Sequence, residues 1–225
     1  MNKVILFSTL TAIMLMASCS NDEEVKVSND GAVRFTSSIG KVDSGSPTTK
    51  AVGTEWAAND AIGIFMVKNG VTTVVDGAEN REYTTTGGGN FTATAGNEIY
   101  YPMDGSKVDF IAYYPHASGK AIGDAMDVNV SGTQTDASQA INDFLWTNTY
   151  NNAAEGFDKE NHKGQTVALE FAHKLTKLVL NCKVGAGLEG ADLGNMTVSI
   201  KGMNTQNTLT LATGTLGAAT LTADI

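Results

Sequence analysis

The chain has 225 residues, which is long enough for one large domain or two small ones with a sizeable core. It carries 15 Lys and Arg against 24 Asp and Glu, and this net charge of −9 makes it a poor candidate for nucleic-acid binding, which depends on basic phosphate contacts. Only 17% of the residues are charged and 24 are glycine, while threonine runs through every segment, a composition typical of a β-rich exported protein.

Residues 1–18 have the features of a secretion signal that ends directly before a cysteine. Lys3 precedes an apolar run, Val4 to Met16, which is shorter than the roughly 20 apolar residues of a membrane-spanning helix but suits a signal peptide. With the small residues Ala17 and Ser18 before Cys19, the pattern resembles the lipobox of bacterial lipoproteins. It predicts cleavage between Ser18 and Cys19 and attachment of acyl chains, such as palmitate, to Cys19. The alternative is an ordinary cleaved signal with a chance cysteine.

An acidic segment follows the cysteine. Ser20 to Glu24 would by itself indicate only a solvated tail, and residues 19–31 are interpreted as a flexible acidic leader. Next to a lipobox, the cluster resembles the export signal that directs some Gram-negative lipoproteins to the outer face of the outer membrane. The sequence therefore predicts a lipid-anchored precursor at the cell surface.

Apolar and polar residues alternate after the leader and predict a first strand over Ala32 to Ile39. Val33, Phe35, Ser37 and Ile39 fall on one face of this strand. Residues 40–49 contain glycine, serine and proline, and they are predicted to form a surface loop that ends at Lys50.

Two later segments are apolar on both faces, which indicates strands between two layers: Ala61 to Lys68 and Val108 to Tyr114. Between them, the segment Gly87 to Asn90 predicts a hairpin turn joining strands at Glu82 to Thr86 and Phe91 to Ala95. A phosphate-binding loop is the alternative, but it requires a following helix N-terminus that the sequence does not predict.

The second half of the chain continues the β pattern. Its clearest strand is predicted over Val167 to Val184, with a bulge or bend near Lys174 to Lys177 because the apolar parity switches there. Cys182 within it is expected to be a small buried side chain, and the cysteine count excludes a disulfide framework. The remaining expected segments are a strand at Asp127 to Val130, an apolar anchor at Phe144 to Trp146, a long connection at Thr147 to Gly164, and strands at Met196 to Ile200 and Thr208 to Leu211.

Short strands separated by turns, without an amphipathic helix beyond the signal, predict an all-β protein with an antiparallel β-sandwich. Gly217 to Ile225 consists of small residues and threonine without a closing signal.

Residues that carry catalytic or metal chemistry are sparse. His116, His162 and His173 lack the spacing of a zinc site, and no serine lies in a nucleophile elbow. His173 is interpreted as an imidazole hydrogen-bonded within or beside the core. The sequence predicts no enzyme, no metal site and no cofactor.

Several motifs, in this order, resemble the fimbrillin family, whose members are lipoprotein subunits of type V pili from anaerobic gut and oral Gram-negative bacteria. They are Thr49 to Ala51 with Trp56 to Phe65, Val108 to Pro115, Asp143 to Trp146, and Leu169 to Leu178. The resemblance implies two Greek-key, transthyretin-like β-sandwiches in series. Residues 32–216 would form the first, and residues 217–225 would begin a linker or the second. The second is largely missing after Leu211, so a truncated sequence or an unusually short relative is expected.

The resemblance also implies how the protein works. A protease specific for Arg or Lys removes the first strand of such a precursor, and a strand from a neighbouring pilus subunit takes its place to build an adhesive fimbria. In this chain, Lys50-Ala51 matches the cut site and the face of Val33, Phe35, Ser37 and Ile39 matches the displaced strand, whereas Arg34 is protected inside it. An ordinary loop lysine at Lys50 stays open as the alternative.

A second function is a glycan-binding lipoprotein that stays anchored in the outer membrane. Its basis is a possible sugar-stacking platform of Trp56, Tyr100, Tyr101, Tyr113, Tyr114 and Trp146. Aromatic residues beside so many aliphatic ones are more often part of a core.

Overall fold

The computed structural model describes residues 31–40, 55–135, 142–150, 155–178, 180–187, 194 and 196–225, and this part of the chain is almost entirely β-structure. Its elements are β1 Arg34–Ile39, β2 Ala61–Lys68, β3 Arg81–Thr85, β4 Asn90–Ala93, β5 Val108–Tyr114, β6 Ala125–Asn129, β7 Leu145–Asn148, α1 Lys159–His162, β8 Thr166–His173, β9 Met203–Thr210, β10 Thr215–Leu216 and β11 Leu221–Ala223.

Seven of these strands form a closed barrel in the order β1-β4-β3-β2-β5-β7-β8, and β8 pairs back onto β1. Every pair in the barrel is antiparallel except β1 and β8, which run parallel over six residues. The expectation of an antiparallel sandwich is therefore wrong for this pair. Since β1 and β8 lie at opposite ends of the barrel's sequence, no tight hairpin joins them to impose an antiparallel direction.

A second sheet is built around β9. Thr210 of β9 is aligned with Ala125 of β6 on one edge and with Thr215 of β10 on the other, where β11 continues the pairing further along the strand. This sheet packs on the outer face of β2, β5 and β7, because Leu209 and Leu211 share a buried cluster with Phe65. The architecture is thus a barrel with a second layer on one side.

The two central strands are buried on both faces, as the sequence predicts. In β2, Ile62, Ile64 and Met66 point into the barrel, whereas Phe65 and Val67 face the second sheet, and all five side chains are fully buried. β5 follows the same arrangement with Phe110 inside and Ile111 outside. Apolar residues on both faces are required because each face packs against a different layer.

The long strand predicted over Val167 to Val184 ends at His173. Its last residues have already used the available partners, since Phe171 is opposite the end of β1 and His173 is opposite the start of β7. Within the described ranges no further strand lies beside β8 past His173, and the ladder stops there. Leu178 and Leu180 are consequently exposed, and Cys182, expected to be buried, is also exposed.

Other differences concern short elements. The predicted strand at residues 196–200 is absent. β9 instead begins at Met203, ahead of the strand predicted from Thr208, because β6 and β11 supply hydrogen-bond partners there. The connection expected at residues 147–164 contains the end of β7 and α1, a single turn capped by Asp158, which accepts a hydrogen bond from Asn161 N at 2.7 Å. Residues 217–225, which lacked a strand signal, contain β11.

Candidate functional site: the first strand and its groove

The first strand occupies a groove between two other parts of the barrel. On one side, β1 pairs with β8 from Arg34 opposite Thr166 to Ile39 opposite Phe171. On the other side, it pairs with β4 at Phe35 opposite Phe91. We call the space between β8 and β4, with the flanking residues Gly89 and 99–101, the β1 groove.

Backbone hydrogen bonds extend this pairing beyond β4. Val33 N donates to Ile99 O at 2.8 Å, and Ser37 N donates to Gly89 O at 2.7 Å. Gly40 N donates to Phe171 O at 2.8 Å on the β8 side. Both edges of β1 are therefore used along most of its length, so removal of β1 would leave two rows of unpaired backbone groups.

The inward face of β1 is the one that the sequence predicts. Val33, Phe35 and Ile39 are buried, and Ser37 is half-buried with its Oγ 3.4 Å from Gly89 O. The Phe35 ring lies edge-on to Tyr83, with 5.1 Å between ring centroids, and is 2% exposed. Phe35 is thus the principal apolar anchor of the strand.

Tyr83 fixes the groove wall behind this anchor. Its hydroxyl oxygen accepts a hydrogen bond from Ile99 N at 3.0 Å, next to the Ile99 carbonyl that pairs with Val33. Burial raises the pKa of Tyr83 to about 12, against the lowering effect of the hydrogen bond from Ile99. The phenol stays neutral at physiological pH and does not place a charge beside Phe35.

Gly89 permits the close approach of β1. A Cβ at this position would overlap the carbonyl oxygen of Ser37, and the backbone has φ +81°. The sequence identifies residues 87–90 as a hairpin turn but misses this contact. The run of three glycines is a sequence signal at this place, but it does not single out Gly89, because adjacent Gly88 has open space where its Cβ would be.

A cavity of about 350 Å³ lies at the N-terminal end of the β1 groove, where β1 moves away from β4 toward residues 99–101. Its lining includes Arg34, Phe35, Tyr83, Ala93 and Glu98. The wall between β1 and β4 therefore leaves unfilled space at this end of the groove.

The other residues singled out from the sequence fall into two groups. Ser18, Cys19, Lys50 and Ala51 lie outside the described residues. The histidines are described and separate: His173 Nδ1 is 2.7 Å from Asp143 Oδ1 beside the core, in the hydrogen-bonded state expected of it. Among the described residues there is no group of three or more His, Cys, Asp or Glu placed to hold a metal ion.

The aromatic residues do not form the sugar-stacking platform considered above. Trp56, Tyr101, Tyr113 and Trp146 are buried, whereas Tyr100 is 49% exposed. Trp56 packs edge-on against Phe91, Tyr114 and Phe171 inside the barrel, and the Trp146 indole N–H donates to Leu211 O at 2.7 Å, toward the second sheet. Their role is to fill the core, so the basis for the glycan-binding alternative is wrong.

The described ranges contain no helix with the length and apolar character needed to cross a membrane.

Known proteins were compared with the chain as a whole. The sequence profile of the family described as fimbrillin-like matches residues 49–225. A curated protein of Bacteroides uniformis, named "Putative fimbrium subunit Fim1C", is 38% identical over 229 residues, which cover 99% of this chain and 69% of that protein.

Solved structures with a similar fold are also found. The crystal structure of "a putative cell adhesion protein" from Bacteroides uniformis superposes with a TM-score of 0.62 at 34% identity, covering 87% of this chain and 70% of that one. A protein from Bacteroides ovatus with the same description superposes with a TM-score of 0.54 at 21% identity, covering 87% and 73%, and supports the fold alone. On the family profile and the curated relative together, the chain belongs to the fimbrillin-like family.

Proposed function

We propose that this protein is the surface lipoprotein precursor of a fimbria subunit, which a protease activates for assembly by strand exchange. The observation that carries the proposal is the position of β1. It forms a wall of the barrel, paired on both edges, yet it is joined to the rest of the barrel only through the segment that contains Lys50. Hydrolysis after Lys50 would leave β1 held by non-covalent contacts alone.

The vacated groove is suited to another strand. Removal of β1 would expose the edge of β8 from Thr166 to Phe171, the carbonyl oxygens of Gly89 and Ile99, and the apolar cavity left by Phe35. Unpaired backbone groups next to an apolar cavity are costly to leave open. A strand from a neighbouring subunit, with apolar residues at alternate positions, would restore both the hydrogen bonds and the packing.

The N-terminal signals complete the pathway. In this proposal, residues 1–18 are removed before Cys19, which receives lipid and carries the precursor to the outer membrane. Cleavage at Lys50 then separates the lipid and β1 from the mature subunit together. The subunit joins a fimbria at the cell surface and contributes to adhesion, in line with the names of its relatives in Bacteroides uniformis.

The barrel and its second layer correspond, in our proposal, to the first transthyretin-like sandwich of the family. This domain begins at residue 32, and we extend it to include β11 because β11 pairs with β9.

The proposal is tested on the full-length protein in the bacterium that encodes it. Wild-type cells should yield a mature subunit that begins at Ala51 by N-terminal sequencing and that forms heat-labile, high-mass ladders on gels. Cells carrying Lys50→Gln should accumulate the lipidated precursor without ladders. Ladders of normal yield from Lys50→Gln, or a mature N-terminus at any other residue, would show the proposal to be wrong.

A further inference from the structure

We propose that the Arg34–Phe35 peptide bond is a second processing site, which a protease specific for Arg or Lys hydrolyses only after β1 has left its groove. The inference rests on the proposed function, because it concerns the strand that is exchanged. Its starting point is the contrast between neighbouring side chains. Arg34 is exposed, whereas Val33 is 4% exposed and Phe35 is 2% exposed. The residue that such a protease recognises thus lies between two buried anchors.

The backbone around this bond is held in a paired strand while β1 is in place, even though the cavity described above adjoins Arg34 and Phe35. Arg34 is aligned with Thr166 of β8 on one side. Val33 N is bonded to Ile99 O and Phe35 is aligned with Phe91 on the other side. Proteolytic nicking concentrates at exposed, mobile backbone, and a strand paired on both edges is the opposite case. An exposed Arg34 side chain is therefore not sufficient for cleavage.

Release of β1 reverses this protection. In the free leader peptide, the Arg34–Phe35 bond has no partner strand, and both flanking side chains leave the core. Hydrolysis adds one water molecule across the amide, leaving a carboxylate on Arg34 and an ammonium group on Phe35. The cut separates Val33 from Phe35 and Ile39, so neither fragment keeps all three anchors. Reinsertion would also bring two new charges into an apolar groove.

The site would therefore act after the first cleavage and make strand exchange irreversible. An intact β1 competes with the incoming strand for the groove, whereas a divided β1 does not. The order of the two cuts follows from the fold, since one bond lies in the connecting segment and the other lies in the paired strand.

Protection of the Arg34–Phe35 bond by the groove is tested independently of assembly. The chain used carries Lys41→Gln and Lys50→Gln, so that trypsin does not cut the segment after β1. Into this background we introduce Gly89→Ala, whose Cβ would overlap Ser37 O and push β1 outward. The matched control is Gly88→Ala, which has a similar backbone strain at φ +76° against +81° but open space around its Cβ. Mass spectrometry follows fragments that end at Arg34.

We expect cleavage after Arg34 to be at least tenfold faster in Gly89→Ala than in Gly88→Ala. Cleavage after Arg81, in β3, reports unfolding of the whole barrel and should stay slow in both. Equal rates at Arg34 in the two variants, or rapid cleavage in Gly88→Ala, would overturn the proposal. Should Gly89→Ala lose protection at Arg34 and Arg81 together, the wild-type chain decides. Its leader should be recovered with a break after Arg34 once Lys50 is cut, and leader fragments in which the Arg34–Phe35 bond is intact overturn the proposal.

A variant in cells separates this inference from the proposed function. Arg34→Gln should still be cut at Lys50 and form ladders, but its released leader should show no break between residues 34 and 35, whatever happens at Lys26 and Lys41. Ladders accompanied by wild-type leader fragments in which the Arg34–Phe35 bond is intact would overturn the second site and leave the proposed function intact. Absence of cutting at Lys50 in wild-type cells would show the proposed function to be wrong. The comparison of the two glycine variants would still show whether the groove protects the Arg34–Phe35 bond.

Discussion

Phe35 is the residue on which insertion of β1 depends most. Its inward orientation could be predicted from the alternation of Val33, Phe35, Ser37 and Ile39, because side chains on a strand point to opposite faces in turn. Its contacts with Tyr83 and Phe110 could not, since the sequence does not specify which strands are neighbours in the barrel. Alternation likewise misplaced Cys182, which is exposed because no strand of the described part of the chain covers it.

Phe35→Ala should destabilise the precursor by about 3–5 kcal/mol, because it removes a buried ring and leaves a cavity among aromatic neighbours. Urea unfolding of the chain with β1 attached measures the free energy of unfolding. Ser38→Ala is the control on the exposed face of the same strand and should stay within about 0.5 kcal/mol of wild type. A similar effect from both substitutions would contradict the role given to Phe35.

Tyr83, which packs against Phe35, should make the stability of the folded protein fall at alkaline pH. Because burial raises its pKa to about 12 in the folded protein, whereas an unfolded tyrosine titrates near 10, the folded state holds the proton more tightly. The stability from this group is complete below about pH 10 and is lost as the pH rises toward about 12. Denaturant unfolding at pH 8 and pH 11 should reveal a loss that is smaller in Tyr83→Phe. An equal loss in both proteins would exclude Tyr83 as a source of the pH dependence.

At the scale of elements, burial on both faces was the most reliable signal. β2 and β5 were predicted between two layers because their apolar residues do not alternate with polar ones, and each strand contributes to both buried clusters. β8 was predicted too long because an apolar run indicates that a segment can form a strand. It does not indicate where the neighbouring strands, here β1 and β7, end. β9 was missed over its polar half, where pairing with β6 and β11 outweighs side-chain pattern.

The contact between barrel and second sheet depends on Gly214, which precedes β10. A Cβ there would overlap the indole ring of Trp146, and the backbone has φ +62°. Gly214→Ala should therefore lower the melting temperature well below that of Gly202→Ala, which has φ +65° and open space around its Cβ. The excess destabilisation should be about 1–3 kcal/mol, the usual cost of overpacking. Equal melting temperatures would mean that the second sheet does not pack closely on Trp146.

For the molecule as a whole, the sequence predicted an all-β protein in layers but not a closed barrel. Closure results from the pairing of β1 with β8, whose aligned residues Arg34 and Thr166 lie far apart along the chain, and no local pattern reports such a contact. The groove could be anticipated from the resemblance to fimbrillins, whereas the parts played by Gly89 and residues 99–101, which flank β4, emerge from the packing.

If the groove is the assembly site, a synthetic peptide of residues 31–40 should block polymer growth when it is added in excess to protein cleaved at Lys50. The peptide supplies the three buried side chains of β1 and its hydrogen-bonding groups, so it competes with the incoming strand. The same peptide with Phe35→Asp is the control and should not block, since it would bury an unpaired charge. Ladders on unheated gels provide the measurement, and unchanged ladders with the native peptide would count against assembly at this groove.

The mixed direction of pairing around β1 sets a rule for any fibre built through it. A replacement strand that reproduces the existing hydrogen bonds must run alongside β8 and opposite to β4, and a strand entering the other way would need a different ladder on both sides. Each subunit would accept its neighbour in a single orientation. The resulting fibre would have two unlike ends, with an open acceptor groove at one end and an unused donor strand at the other, and such a head-to-tail contact lengthens into an open filament wherever its rotation does not close a ring.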